Sequence, residues 1–188
     1  DSVGICFIGK NKYNDFIANF LGKDPGAILD EEGNELGVHD GLMYFTLGQR
    51  QGIGLGGIKG KEQDSWYVAH KDTQSKALTV VQGRDHPLLF SDGCYVDNVQ
   101  WVNENNEDEL NCEVQIRYQS QPVKAQLKKL NSGYKINFAS PQLAVTPGQS
   151  AVIYQGDDCL GGSVIKDRIS SDFYSWADNR GYNYQVYG

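Results

Sequence analysis

The feature that most constrains the fold is a strict alternation of side chains between residues 110 and 118. Leu110, Cys112, Val114, Ile116 and Tyr118 alternate there with more polar residues. Because successive side chains of a strand point to opposite faces, this spacing predicts a strand with one face in a core. Further strand-length segments are bounded by turn residues at 94–102, 123–130, 134–138, 151–154 and 162–165. Six short strands at even spacing predict a small closed antiparallel β-barrel.

The first half of the chain has a different pattern. Apolar residues recur at helical spacing from Tyr13 to Leu21, which predicts one amphipathic helix. From Pro25 onward, short apolar runs alternate with turn residues, and Glu32-Gly33-Asn34 predicts the turn of a hairpin. Further strands are expected at 42–46, 66–70 and 77–82.

These patterns together predict a mainly β fold: a small central β-rich domain with one N-terminal helix, followed by the six-stranded barrel. The expected boundaries are a cysteine-containing segment and helix at 1–22, a central domain at 23–90, the barrel at 91–168 and an irregular tail at 169–188. The tail is rich in Tyr and Asn and has little periodicity, and we expect it to wrap a surface of the barrel.

Composition limits the classes of function. The 188 residues carry a net charge of −7, which argues against binding nucleic acid by bulk electrostatics, so that any RNA contact must be local. Four cysteines without a Cys-x-x-Cys pair predict neither a zinc site nor a disulfide framework and favour a reducing, intracellular setting. Three histidines lack ligand spacing, so no metal is expected. No apolar run has the length of a membrane helix.

Cys6 is the first candidate for chemistry. Taken alone, a Cys between Ile5 and Phe7 is typical of a buried, inert position. A functional thiol must reach solvent and be held partly as thiolate, and Lys10 and the start of the predicted helix are candidates for that stabilisation. The remaining cysteines fall within strand patterns and are predicted to lie in the core: Cys94, Cys112 and Cys159.

Five residues in three places along the chain are candidates for RNA contact. The glycine-rich segment 44–57 lacks both the Gly-Lys-Ser/Thr ending of a P-loop and the strand-loop-helix context of a dinucleotide site. Its Gln49 and Arg50 could contact RNA or a neighbouring domain, or the segment could be a purely structural loop. Arg117-Tyr118 combines a phosphate or base-edge partner with a stacking ring, and Gln149 offers a donor and an acceptor. Ordinary surface hydrogen bonding remains open for all of them.

Three stretches resemble the tRNA-specific 2-thiouridylase family: 1–9 (DSVGICFIG), 46–52 (TLGQRQG) and 144–150 (AVTPGQS) followed by Cys159-Leu160-Gly161-Gly162. Their order matches, and Gly83-Arg84-Asp85-His86-Pro87 and Arg117-Tyr118 extend the resemblance. It implies an enzyme with an amino-terminal adenylating domain, a small central domain and a carboxy-terminal β-barrel that helps to hold the tRNA anticodon arm. Only the last two are expected in this sequence, and the tail from about Ser170 exceeds the usual family ending.

The resemblance also implies roles for individual residues. Family enzymes adenylate the wobble uridine at position 34 of the tRNA with ATP, and a cysteine persulfide, loaded by a sulfur-donor protein, then delivers sulfur. Cys6 matches the persulfide-carrying cysteine, while the partner cysteine that attacks the persulfide or forms a disulfide, and the ATP loop, belong to the missing amino-terminal domain. Arg117, Tyr118 and Gln149 match tRNA-contacting positions. A cytoplasmic enzyme, without a membrane partner and inactive as this fragment alone, is expected.

Two alternatives belong to other classes of function. The chain could act as a noncatalytic RNA- or protein-binding β-barrel module in which Cys6 merely packs. A free-standing thiol enzyme is disfavoured, because no His or Asp is obviously coupled to Cys6.

Overall fold

The computed structural model describes residues 22–55, 64–105, 107–118, 120–182 and 184. The chain divides into two compact units between Gly83 and Arg84. Both units are built mainly of strands, so the predicted mainly β fold is confirmed. The helix predicted between Tyr13 and Leu21 and the Cys6 segment lie outside the described residues.

The first unit contains a four-stranded sheet in the order β2-β1-β4-β3. Its strands are β1 Gly26–Leu29, β2 Glu35–His39, β3 Trp66–Asp72 and β4 Ala77–Gln82. The predicted hairpin joins β1 and β2, and the buried Asp30 holds its turn by accepting hydrogen bonds from the backbone N–H groups of Glu32 (3.1 Å) and Asn34 (2.8 Å). Strands β3 and β4 form a second antiparallel pair, and β4 pairs with β1 in parallel.

The strand predicted at 42–46 is wrong, because a 3-10 helix occupies Leu42–Tyr44. Its carbonyl groups are bonded by a lysine side chain and by the backbone of the turn instead of by a strand ladder. The Lys71 ammonium donates to the carbonyl oxygens of Leu42 (3.2 Å) and Phe45 (2.9 Å), and the Phe45 N–H donates to the Leu42 carbonyl (3.2 Å). A side chain distant in sequence therefore decides the backbone conformation of this segment.

The second unit is a closed six-stranded antiparallel barrel, as predicted. Its ring order is β10-β7-β8-β9-β5-β11, and pairing of β10 with β11 closes it. The ring strands are β5 Phe90–Val96, β7 Glu109–Gln115, β8 Val123–Lys129, β9 Tyr134–Leu143, β10 Ser150–Gln155 and β11 Asp158–Ile169. The two-residue strand β6 Gln100–Trp101 adds to the outer edge of β11.

The interior of the barrel is filled by apolar side chains from all six ring strands. Val114, Ile136 and Ile153 are completely buried, and burial of each such side chain contributes about 1.5–3 kcal/mol. The alternation that predicted β7 holds for Cys112, Val114 and Ile116 but fails at Tyr118, which is 86% exposed. The strand ends at Gln115 and the chain then turns, so that the strand periodicity no longer applies.

The burial of each cysteine depends on its position along its strand. Cys94 and Cys112 are buried, which confirms the prediction of core positions. The same prediction is wrong for Cys159, which is exposed. Cys159 is the second residue of β11 and lies beside the tight turn to β10, at the margin of the barrel wall, where a side chain is not covered.

The tail predicted to be irregular contains a helix, α1 Ser171–Asp178. Ser170 caps it, because its hydroxyl accepts a hydrogen bond from the Phe173 N–H at 3.3 Å, and Asp172 lies in the first turn. Phe173 and Ala177 are buried against the barrel unit. The helix has only eight residues, so its short apolar face shows little periodic signal. Among the residues that the structure describes, no helix is long and apolar enough to cross a membrane.

Candidate functional site

One end of the barrel gathers three of the residues selected from the sequence. Because β7 ends where β10 begins, with Val152 opposite Gln115, Arg117-Tyr118 and Gln149 lie at the same end of the barrel. We call it the Arg117 end and define it by three connections: 84–89 before β5, 116–122 between β7 and β8, and 144–149 between β9 and β10.

Hydrogen bonds join the three connections of the Arg117 end. The Arg117 guanidinium donates through Nη2 to the Ala144 carbonyl at 2.9 Å, and the Ala144 N–H donates to the Leu89 carbonyl at 2.7 Å. Ala144 has a positive φ of 53°, which is uncommon for a residue other than glycine, and its carbonyl also accepts from the Thr146 hydroxyl at 3.0 Å. No local sequence pattern signals this role of an alanine.

Arg117 is half-buried and only partly satisfied. Its Nε is buried and has no hydrogen-bond partner within the described part of the chain. Burial lowers the pKa of the guanidinium, and the positive charge of Arg84 lowers it further. The carbonyl of Arg117 accepts from both the N–H (3.1 Å) and the hydroxyl (2.8 Å) of Ser120, so the turn that carries the side chain is fixed. A buried donor without a protein partner can donate to a water molecule or to a ligand oxygen.

Tyr118 and Gln149 complete the site with different chemistry. The Tyr118 ring is 86% exposed and offers a face for stacking. Gln149 ends a turn in which Gly148, with a φ of 87°, donates to the Ile165 carbonyl at 2.8 Å while the Ile165 N–H donates to the Gln149 carbonyl at 2.7 Å. The side-chain Oε1 of Gln149 is buried and has no partner among the described residues. The Arg117 end thus combines a guanidinium cation, an exposed tyrosine ring and an amide oxygen that accepts no hydrogen bond from the described residues.

Comparison with known proteins decides the family. Residues 14–82 match the family model for the tRNA methyl transferase PRC-barrel domain, and residues 91–165 match that for the aminomethyltransferase beta-barrel domain. The tRNA-specific 2-thiouridylases MnmA of Tolumonas auensis and Actinobacillus succinogenes are 46% and 47% identical to the chain over 172 and 171 residues, 90% of the chain in both cases. The chain belongs to the tRNA-specific 2-thiouridylase family. It spans about half the length of these relatives, 47% and 44%, and corresponds to the C-terminal part of the family.

The glycine-rich segment of this thiouridylase-family chain belongs to the other compact unit. Gln49 uses its side-chain amide within its own loop: Oε1 accepts from the Thr46 N–H at 3.0 Å and Nε2 donates to the Gln51 carbonyl at 2.8 Å. Gly48 donates to the Val68 carbonyl at 2.8 Å, so this backbone amide is not directed at a phosphate. Arg50 is exposed. These contacts fit a structural loop better than a nucleotide site.

The catalytic candidate of the thiouridylase family, Cys6, lies outside the described residues. Of the cysteines that the structure does describe, none forms a disulfide. Burial raises the pKa of Cys94 to about 12 and is the main cause that raises the pKa of Cys112 to about 11. Both thiols are therefore protonated at neutral pH and poorly suited to carry sulfur as a persulfide. No group of three metal-ligating side chains occurs in the described part of the chain.

Proposed function

We propose that this chain is the C-terminal part of a tRNA-uridine 2-sulfurtransferase that makes 2-thiouridine at wobble position 34. The observation that carries the proposal is the 46% identity to a protein named tRNA-specific 2-thiouridylase across 90% of the chain. The Arg117 end supports it from the structure, because its cation, ring and unsatisfied acceptor suit an RNA loop in which phosphates and unstacked bases are accessible.

The proposed reaction has two steps. In the first, the oxygen on C2 of the uridine attacks ATP and becomes adenylated, with release of pyrophosphate. In the second, the terminal sulfur of a persulfide on Cys6 bonds to C2 and AMP leaves, and a second cysteine then attacks the persulfide bond, which yields the thiocarbonyl and a disulfide. Covalent sulfur carriage by a thiolate separates loading by a donor protein from delivery to the base. The free thiols and this substrate fit a cytoplasmic enzyme.

ATP is assigned to an adenylating domain that precedes this chain in the proposed enzyme. The glycine-rich segment does not fit ATP, since its sequence lacks the P-loop lysine and the Gly48 N–H is engaged with β3. The tRNA anticodon arm is proposed to reach the Arg117 end, where Arg117, Tyr118 and Gln149 hold it for the reaction. We therefore expect the 188-residue chain by itself to bind RNA but not to thiolate it.

The proposal is tested by ATP-dependent thiolation of tRNA with the whole enzyme and its Cys6→Ser variant. We expect Cys6→Ser to reduce 2-thiouridine formation to background, because serine cannot carry a persulfide. Cys159→Ser is the matched control: this thiol is exposed and lies in one of the family motifs, and its loss is expected to leave the rate within about twofold.

Undiminished thiolation by Cys6→Ser would refute the proposed role of that cysteine. Reading the coding sequence upstream of Asp1 provides a second test. A Ser-Gly-Gly-x-Asp-Ser loop there supports the enzyme, whereas its absence favours a noncatalytic RNA- or protein-binding module.

A further inference from the structure

We propose that Arg168 and helix α1 position Arg117 by holding the 3-10 helix at Pro87–Leu89, to which the hydrogen-bond acceptor of Arg117 is attached. Arg168 is a positioning residue in this inference, since it is too buried to contact RNA itself. That Arg117 contacts RNA rests on the proposed function, whereas the connection between the two arginines rests on contacts within the barrel unit. Both Arg168 and α1 lie beyond residue 165, where the match to the barrel-domain family model ends.

Three hydrogen bonds lead from Arg168 to Arg117. Arg168 Nη1 donates to the Leu88 carbonyl at 3.0 Å. The next carbonyl along the chain, that of Leu89, accepts from the Ala144 N–H at 2.7 Å, and the Ala144 carbonyl accepts from Arg117 Nη2 at 2.9 Å. Both leucines are buried. A shift of the 3-10 helix therefore moves the residue that holds the Arg117 guanidinium.

Ala144 is the residue whose conformation depends on this attachment. Its φ of 53° lies in the left-handed region, which is unfavourable for a residue with a Cβ. Such a conformation persists only where the surroundings hold it, and here the Leu89 carbonyl holds the Ala144 N–H. Once that acceptor moves, we expect Ala144 to relax to a negative φ, which turns its carbonyl away from Arg117. Ala144 thus has two discrete backbone states, and the 3-10 helix selects between them.

The Arg168 side chain is itself fixed by α1. It is 4% exposed, and its Cζ lies 4.2 Å from the centroid of the Phe173 ring. The Tyr174 hydroxyl donates to the Arg168 carbonyl at 3.0 Å. Burial lowers the pKa of Arg168 to about 10, so the guanidinium still carries its charge at neutral pH. Because a buried charge is costly unless it finds partners, the ring and the Leu88 carbonyl together restrict the guanidinium to this position.

The start of α1 is attached to the strand that follows the 3-10 helix. The Ser170 hydroxyl donates to the Phe90 carbonyl at 2.7 Å. Ser171 donates to Oδ2 of Asp92 through both its N–H (2.9 Å) and its hydroxyl (2.7 Å). The backbone of the 3-10 helix and the start of β5 are thus held by one short C-terminal segment. This segment therefore controls the backbone to which the Ala144 turn is attached.

The first test compares Arg168→Met with the wild type by NMR of the full 188-residue chain. Methionine fills the buried space but donates no hydrogen bond, so the 3-10 helix should lose its attachment. We expect exchange of the Ala144 N–H with solvent to become about tenfold faster relative to that of the Val114 N–H, which lies in a strand paired on both sides. The resonance of the Arg117 Nε–H should move as well.

Lys166→Met is the matched control on the same strand. Its ammonium pairs with Asp97 at 3.0 Å, so the substitution removes a cation of β11 that belongs to a different connection. Both NMR quantities should keep their wild-type values. If Arg168→Met speeds exchange at Ala144 and Val114 by the same factor and leaves the Arg117 resonance in place, Arg168 only stabilises the barrel and the inference is overturned.

A second comparison tests whether the effect passes through Ala144. In Ala144→Gly, the glycine adopts a positive φ without steric cost, so the position of its carbonyl depends less on the 3-10 helix. We expect the shift that Arg168→Met causes in the Arg117 resonance to be roughly halved in the Ala144→Gly background. A shift of equal size in the two backgrounds would mean that Arg168 does not act through Ala144, and the inference would fail.

Binding of an anticodon stem-loop RNA separates this inference from the proposed function. Arg168→Met should bind the RNA about three- to tenfold more weakly than Lys166→Met, which loses the same charge, because a displaced Arg117 makes a poorer charge-assisted contact. If the wild type does not bind RNA but the Arg117 resonance and the Ala144 exchange respond as expected, the positioning stands and the RNA assignment fails. Equal RNA affinities of the two variants would overturn the role of Arg168 in binding.

Discussion

The two units of this chain contain the same turn but use it differently. Thr46-Leu47-Gly48-Gln49 and Thr146-Pro147-Gly148-Gln149 each close with a hydrogen bond from the Gln N–H to the Thr carbonyl, at 3.0 and 3.2 Å. In both turns the glycine has a positive φ, 74° and 87°, as this geometry favours. In both turns the Gly N–H donates to the carbonyl of one residue, and the N–H of that same residue donates to the Gln carbonyl. The residue is Val68 in the first unit and Ile165 in the second.

The difference lies in the glutamine side chains. The amide of Gln49 makes two hydrogen bonds inside its own loop, whereas the Oε1 of Gln149 is buried without a partner among the described residues. An unpaired buried polar atom is destabilising unless a water molecule or a ligand completes it, so Gln149 has a free acceptor where Gln49 has none. The comparison teaches that the same backbone turn can leave its glutamine amide fully hydrogen-bonded in one unit and partly unpaired in the other.

The largest effect is expected from removing the charge of Arg117. Arg117→Gln should weaken binding of an anticodon stem-loop RNA about 10- to 100-fold, because a charge-assisted hydrogen bond contributes about 1.5–3 kcal/mol. Arg50→Gln, beside the first turn, is the matched variant and should stay within about twofold. Equal losses in the two variants, measured by fluorescence anisotropy, would break the comparison between the two turns.

A smaller loss of RNA binding is expected from the second glutamine. Gln149→Met keeps the length of the side chain but removes the unpaired Oε1, so RNA binding should weaken about 3- to 10-fold while stability stays equal or rises by up to about 1 kcal/mol. The same RNA titration and a urea unfolding curve measure both quantities. Destabilisation with intact RNA binding would show that Gln149 is structural.

The first glutamine should show the opposite behaviour. Gln49→Ala removes the partners of the Thr46 N–H and the Gln51 carbonyl, so the first unit should lose about 1 kcal/mol of stability. RNA affinity should change by less than about twofold, since those hydrogen bonds remain inside the loop. Chemical denaturation and RNA titration of the same preparation check this, and a selective loss of RNA affinity would contradict the structural assignment.

The smallest effect concerns pH. Burial and the charge of Arg84 lower the pKa of Arg117, so the group loses its proton at a lower pH than an ordinary guanidinium, yet arginine still keeps its charge throughout the neutral range. RNA affinity should therefore be nearly flat between about pH 6 and 9. A steep decline on raising the pH from about 6 to 8 would contradict the assignment of the binding charge to Arg117.

Much of the fold could be predicted because its signals are local. The alternation around Val114 and the turn residues between apolar runs identify all six barrel strands, and Glu32-Gly33-Asn34 identifies the hairpin. The errors have two causes, a distant group that decides the local conformation and an element too short to show a period. Lys71 satisfies the carbonyls of Leu42 and Phe45, and the cap at Ser170 starts a helix too short to show a period.

The candidate site could be predicted only in part. Residue chemistry and family resemblance selected Arg117, Tyr118 and Gln149, and the structure brings them to one end of the barrel. Their unsatisfied atoms and the hydrogen bond of Arg117 to the Ala144 carbonyl depend on three connections meeting in space, which no local pattern records. The roles of these residues, of Gln49 and Arg50, and of Cys6 stay predictions.

The central claim is that RNA binds the Arg117 end and not the turn of the first unit. Hydrogen–deuterium exchange with and without the anticodon stem-loop RNA tests it most directly, because one experiment measures backbone protection at both turns of the full chain. We expect RNA to slow exchange in peptides covering 116–120 and 144–149, at the Arg117 end, and to leave peptides covering 46–53 unchanged. Protection confined to 46–53, or no protection at the Arg117 end while RNA is bound, would contradict the account.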